Sequence, residues 1–161
     1  MKLYVDSREP YHIKEKFKSM ALDYDDLEVE IKALETGDFL CDYFVVERKD
    51  LDDFISSFTT VKKTKSKQYL RLREQTKRLI EMPQKVKILL IVGENFEEAY
   101  SRVNEHAFNA QVAKLSAQGI NVVERYSGND WPDYIYRLWR MCRKYSIAKD
   151  QSSLEGVLWV V

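Results

Sequence analysis

The 161-residue sequence predicts an α/β domain, a mixed central β-sheet flanked by helices, and three observations carry that prediction. Lys87-Ile88-Leu89-Leu90-Ile91-Val92 is almost continuously apolar, as a central strand covered on both faces must be. Helical periodicities lie on either side of it, over residues 66–82 and 104–117. A second apolar return at residues 120–123 precedes a further helical stretch, so strands and helices follow each other in βαβ order.

Taken in chain order, residues 3–6 read as a short strand that Pro10 interrupts, and residues 13–21 as a charged helix. Leu27-Glu28-Val29-Glu30-Ile31 alternates apolar and acidic side chains with period two, the mark of a half-buried strand. Gly37-Asp38 closes a turn or starts the next strand, and Tyr43-Phe44-Val45-Val46 runs directly into Glu47-Arg48-Lys49, which together predict a hairpin bent near Cys41-Asp42. Residues 51–58 form a compact helix with Leu51, Phe54, Ile55 and Phe58 along one side. In the helix over 66–82, Tyr69, Leu72, Thr76 and Leu79 make the inward stripe, Arg71, Glu74 and Arg78 lie on another side, and Pro83 ends it. The helix over 104–117 buries Phe108, Val112 and Leu115, and Gly119 follows it. The last helix spans residues 129–145, with Trp131, Ile135, Leu138, Trp139 and Cys142 as core or interface residues. The domain is expected to occupy residues 1–150, and the apolar tail within 151–161 to dock on the body or contact another subunit.

Composition bounds the function. Hydrophobic residues make up 45% and charged residues 32%, a globular mix in a chain long enough for one core. No stretch approaches the ~18 apolar residues of a membrane span, and the amino terminus reads as a strand, not a signal peptide. An intracellular protein is expected, cytoplasmic in a prokaryote or archaeon and nuclear in a eukaryote. Cys41 and Cys142 form no metal-binding spacing and are expected as reduced thiols. His12 is expected to be exposed. Basic and acidic residues balance at 26 each, but unevenly along the chain. Residues 21–60 hold twelve acidic and three basic side chains, residues 61–80 eight basic and one acidic. An acidic metal centre beside a phosphate-facing surface would give this asymmetry, with Lys62, Lys63, Lys65 and Lys67 as DNA-backbone contacts.

Glu47 and Lys49 are two apart on a predicted strand, so their side chains leave one face, and the hairpin sets Asp38 roughly opposite Glu47. Two converging carboxylates beside a lysine make a site for a hard divalent cation, Mg²⁺ with Mn²⁺ as a substitute. There Asp38 and Glu47 would hold the metal, and Lys49 would orient water or offset charge on a reacting phosphate.

The wider pattern Gly37-Asp38, Glu47-Arg48-Lys49, Asp53 resembles the signature of the XPF/ERCC4 nuclease family, including its archaeal members that cut branched DNA. Val5-Asp6-Ser7-Arg8-Glu9 resembles the family's first strand, Leu51-Asp52-Asp53-Phe54 its next helix, and Arg71-Leu72-Arg73-Glu74-Gln75 its R-x-x-x-Q helix. The resemblance implies a restriction-endonuclease-like sheet, with Asp38, Glu47, Lys49 and Arg48 as catalytic residues. It also implies Asp6 as a third metal ligand, with Arg8, Asp53, Arg71 and Gln75 in support. Two departures stand out: Glu94 follows Gly93 where family members place the acid before the glycine, and Leu70 replaces a common glycine. Neither the family's tandem helix-hairpin-helix region nor its helicase region is recognisable in these residues. The resemblance implies a metal-dependent endodeoxyribonuclease selective for branches, flaps or single-strand/double-strand junctions, working as a homodimer or heterodimer. The alternatives are a less selective duplex nuclease and a non-catalytic scaffold subunit; the intact Asp, Glu and Lys positions weigh against the scaffold.

Overall fold

The computed structural model describes the backbone at residues 1–58, 60–61, 64–65 and 67–155, and the side chains at residues 1–58 and 67–145. A six-stranded mixed sheet runs in the order β2-β1-β3-β4-β7-β8. Its strands are β1 (Leu3–Asp6), β2 (Val29–Lys32), β3 (Phe39–Leu40), β4 (Phe44–Asp50), β7 (Val86–Gly93) and β8 (Ile120–Tyr126). β5 (Thr60–Val61) and β6 (Thr64–Lys65) form a separate two-stranded ribbon. The α-helices are α1 (Tyr11–Asp23), α2 (Leu51–Ser56), α3 (Lys67–Glu81), α4 (Phe96–Tyr100), α5 (Glu105–Ala117) and α6 (Asp130–Glu155).

The predicted hairpin is β3–β4, antiparallel with Phe39 opposite Val46 and Leu40 opposite Val45. β4, β7 and β8 are parallel neighbours, each pair joined by helical connections, while β1 lies parallel to β2 and antiparallel to β3. The apolar run at residues 87–92 is the middle of β7, and it feeds both cores: Ile88, Leu90 and Val92 one, Leu89 and Ile91 the other. The first core packs α1 and α6 on the sheet through Phe17, Phe39, Trp131, Ile135, Tyr136 and Trp139. The second packs α2, α3, α4 and α5 through Phe54, Leu72, Leu79, Ala99 and Leu115.

Local chemistry accounts for the helices. In α1, Ile13, Phe17 and Met20 recur at three- and four-residue spacing and are buried. In α3 the buried stripe is Leu72, Thr76 and Leu79, and the Thr76 hydroxyl donates back to the Leu72 carbonyl at 3.0 Å, so its polar group is satisfied. The Asn104 side chain caps α5 by accepting from the Ala107 N–H at 3.0 Å.

Several boundaries differ from expectation. β8 continues three residues past Val123, because parallel pairing with β7 holds up to Gly93 opposite Tyr126. Backbone pairing along an edge tolerates the polar Glu124 and Arg125 that a hydropathy window reads as the strand's end. α6 runs ten residues past Tyr145, since no glycine or proline lies between 133 and 155. The boundary expected at residue 150 therefore falls inside a continuous helix. In α5 only Leu115 is fully buried; Phe108 and Val112 are half-buried. The apolar run at residues 157–161 lies outside the described residues. Among the described residues, no helix is long and apolar enough to cross a membrane.

Candidate active site

The alternation of β4 sorts its side chains between the two layers. Val45, Glu47 and Lys49 face α3, while Phe44, Val46 and Arg48 face α1 and α6. Extending the β3–β4 register by one residue sets Asp38 opposite Glu47. The Asp38 N–H donates to the Val46 carbonyl at 2.7 Å, and its Oδ2 accepts the Arg48 N–H at 2.8 Å. Gly37 makes this approach: its φ is +83°, and a Cβ there would lie 2.6 Å from Val45 Cγ2.

Glu47 and Lys49 are joined through α3. Gln75 donates from Nε2 to Glu47 Oε1 at 2.6 Å, and its Oε1 accepts from Lys49 Nζ at 3.3 Å. One amide thus holds the acid and the base in fixed relation, each end of its dipole matched to the charge it meets. Asp38, Glu47, Lys49 and Gln75 line a cavity of about 410 Å³, open on one side, together with Arg71 and Arg78 of α3.

Charge in this cavity is strained. Burial, then Glu47 and then Glu9, push the Asp38 carboxyl up to about 8. Burial also raises Glu47 to about 7, although Lys49, Arg78 and Arg71 pull against it. Lys49 moves the other way, lowered by burial and by Arg71. Without further positive charge the two acids compete for a proton near neutrality.

The first strand and the turn after it also reach the cavity, through Asp6, Arg8 and Glu9. Both oxygens of Asp6 accept from Arg8 Nε, at 3.2 and 3.0 Å, and Oδ1 also takes the Leu34 N–H at 3.1 Å. The Arg8 guanidinium reaches on to the Leu34 carbonyl. Asp6 borders the cavity with its carboxylate taken up by Arg8 and the Leu34 N–H, and among the described residues it forms no three-acid cluster with Asp38 and Glu47. Glu9 turns inward instead, 7% exposed, and accepts from Arg48 Nε at 2.9 Å. Arg48 also donates to Asp50 at 2.9 Å and lies 5.5 Å from the centre of the Trp131 ring. Asp53, in the first turn of α2, borders the cavity and its charge acts on Lys49. Lys67 is exposed at the start of α3. Lys62 and Lys63 lie outside the described residues, and Lys65 is described in its backbone alone, within β6. His12 is exposed, while Trp131 and Trp139 are core residues.

Asp38 and Glu47 suit a hard divalent cation. Glu47 is buried and Asp38 half-buried, both with raised pKa values, and Asp38 Oδ1 and Glu47 Oε2 have no donor among the described residues. No cluster of three His, Cys, Asp or Glu side chains comes together in ligand geometry among those residues. Two protein carboxylates with water or substrate oxygens completing the shell is the usual arrangement for Mg²⁺. Glu9, Arg78 and Trp131 are the site residues that motif spacing did not assign. Only Arg78 left a usable signal, its place seven residues after Arg71 on the polar side of one helix.

Fold and site together define a class: a mixed α/β sheet domain with an acid–acid–lysine centre lining a cavity beneath an arginine-bearing helix. The ERCC4 domain model matches residues 5–138, and the chain belongs to that family. A Methanocaldococcus jannaschii protein described as an ATP-dependent RNA helicase, MJ1505, is 31% identical over 143 residues, covering 86% of this chain and 15% of its own length. Among solved structures, XPF from Aeropyrum pernix in complex with DNA superposes with a TM-score of 0.67 and 26% identity, over 89% of this chain and 65% of that one. XPF from Aeropyrum pernix without DNA superposes with a TM-score of 0.63 and 24% identity, over 94% of this chain and 70% of that one. The chain therefore spans a small part of the helicase-length relative and about two thirds of the solved XPF chain.

Proposed function

We propose that this chain is a divalent-metal-dependent DNA endonuclease, acting on phosphodiesters at branches, flaps or single-strand/double-strand junctions. The observation that carries the reading is the half-buried Asp38 set opposite the buried Glu47, both with carboxyls raised towards neutrality, and the tie from Glu47 to Lys49 through Gln75. Family membership and the DNA-bound XPF neighbour support it. Mg²⁺, or Mn²⁺ in its place, would be held by Asp38 and Glu47 and would supply Lewis acidity to a phosphate oxygen and a lowered pKa to water. Lys49, its pKa depressed by burial, holds or accepts a proton beside the reacting phosphate. Gln75 keeps Lys49 and Glu47 in register, and Arg71 offers positive charge to the anionic substrate from the rim. Arg48 is a positioning residue: its backbone N–H holds Asp38 and its guanidinium holds Glu9 and Asp50.

Cleavage of a labelled 3′-flap and its matched linear duplex, in Mg²⁺, Mn²⁺ or EDTA, tests the proposal. The flap is expected to be cut faster, and EDTA to stop cutting. Equal rates on both substrates would leave a less selective duplex nuclease, and cutting in EDTA would refute metal dependence. Partners are proposed to be branched DNA and a second copy of this chain, or a related ERCC4-type chain in a heterodimer.

A further inference from the structure

α3 turns two arginines towards the cavity, and motif resemblance assigns only Arg71. Seven residues separate Arg71 from Arg78, so their side chains leave nearly one stripe of the helix, about 10 Å apart along its axis at 1.5 Å per residue. Lys67, four residues before Arg71, lies on the same stripe. All three are exposed, and none forms a salt bridge among the described residues. Most carboxylates beneath them have other partners: Asp6 has Arg8, Glu9 and Asp50 have Arg48, and one oxygen of Glu47 has Gln75, so Glu47 feels the charge of Arg71 and Arg78 without an ion pair to either. Exposed guanidiniums with no carboxylate in ion-pair contact among the described residues, fixed on a helix at the rim of an acidic cavity, can take an external anion. Gln75, which touches both Glu47 and Lys49, sits between Arg71 and Arg78 in sequence. A phosphate at the reacting centre would therefore have one arginine on each side.

We infer that Arg78 is a DNA-phosphate contact, completing with Arg71 and Lys67 a track along α3 that carries one strand across the acidic centre. This rests on the nuclease reading and adds to it the direction of the strand. Successive charges along one DNA strand advance about 3.4 Å along the duplex axis, so a track of about 16 Å meets several phosphates and reads no base. It also answers an electrostatic problem, since a polyanion must approach two carboxylates and the stripe supplies the opposing charge.

The test is the salt dependence of binding by the full chain to a fluorescent flap DNA, measured by anisotropy in Ca²⁺ to suppress cleavage. Each phosphate contact removed should reduce the slope of log K against log salt by roughly 0.7–0.9. Arg78→Ala is expected to lower the slope by that amount and to weaken binding several-fold at low salt, with Arg78→Lys restoring the slope. Arg73→Ala, on a different side of α3, is expected to leave the slope unchanged, and circular dichroism checks that each variant folds. An unchanged slope in Arg78→Ala, or an equal loss in Arg73→Ala, would overturn the inference while leaving flap cleavage by the wild type intact. A wild-type chain that neither binds nor cuts DNA would overturn the inference and the nuclease reading together.

Discussion

Asp38 and Glu47 sit where burial strips water from both carboxyls, and the Glu47 charge adds to the cost of ionising Asp38. The sign of the resulting pH dependence follows directly. Asp38 moves from its ordinary 3.8 to about 8, and Glu47 from 4.5 to about 7, so the metal-free fold binds protons that the unfolded chain releases. Their stabilising contribution is complete below about pH 4 and is lost as pH climbs through 7 to 8. Melting of the EDTA-treated protein from pH 5 to 8.5 should therefore show a falling Tm that Asp38→Asn flattens. At pH 8 the variant should melt higher than the wild type by about 2–4 °C, the shift that about 1 kcal/mol gives at this size. A variant less stable than wild type at pH 8 would show that the two acids are not strained in the absence of metal. Catalytic geometry held against stability in this way is common at active centres.

Among the elements, β3 and β4 carry the site, and much of them was legible. The period-two rule alone put Glu47 and Lys49 on one face, and the apolar run before Glu47 located the hairpin. The partner on the opposing layer was readable only through resemblance: nothing in the spacing of Gln75 says which strand it will face. Asp6 and Glu9 show the limit from the other side. Both acids border the cavity, Asp6 held by its near neighbour Arg8 and Glu9 by Arg48 from β4, and only the second of these is a tertiary contact that spacing cannot show. α4 and the β5–β6 ribbon are too short for periodicity to show. Gly37 is the element's most exposed weakness. Gly37→Ala adds a Cβ at φ +83° and against Val45, so a loss of about 1–3 kcal/mol in urea unfolding is expected. A change within about 0.5 kcal/mol would mean that the hairpin relaxes freely and does not fix Asp38.

At the scale of the whole molecule, the sheet separates two tasks. The face under α3 holds the acids and the basic stripe, while the opposite face is an aromatic core in which Trp131 backs Arg48 and Tyr136 donates to Asp26 at 2.8 Å. α6 starts with Trp131 behind Arg48 and extends as a 26-residue helix that exposes Met141 and Tyr145. Those side chains make α6 the surface proposed for pairing two chains. Light scattering is expected to give twice the 19.1 kDa chain mass at micromolar concentration; a monomer over a hundredfold range would refute the pairing. The central claim, however, concerns two carboxylates. Single-turnover cleavage of the flap substrate in Mg²⁺, measured side by side for wild type, Asp38→Asn and Glu47→Gln, tests it most directly. Changing a partner of a metal ligand costs about 10–100-fold, so loss of either ligand should slow cleavage beyond that range while the fold persists. Wild-type rates in both variants would contradict the account.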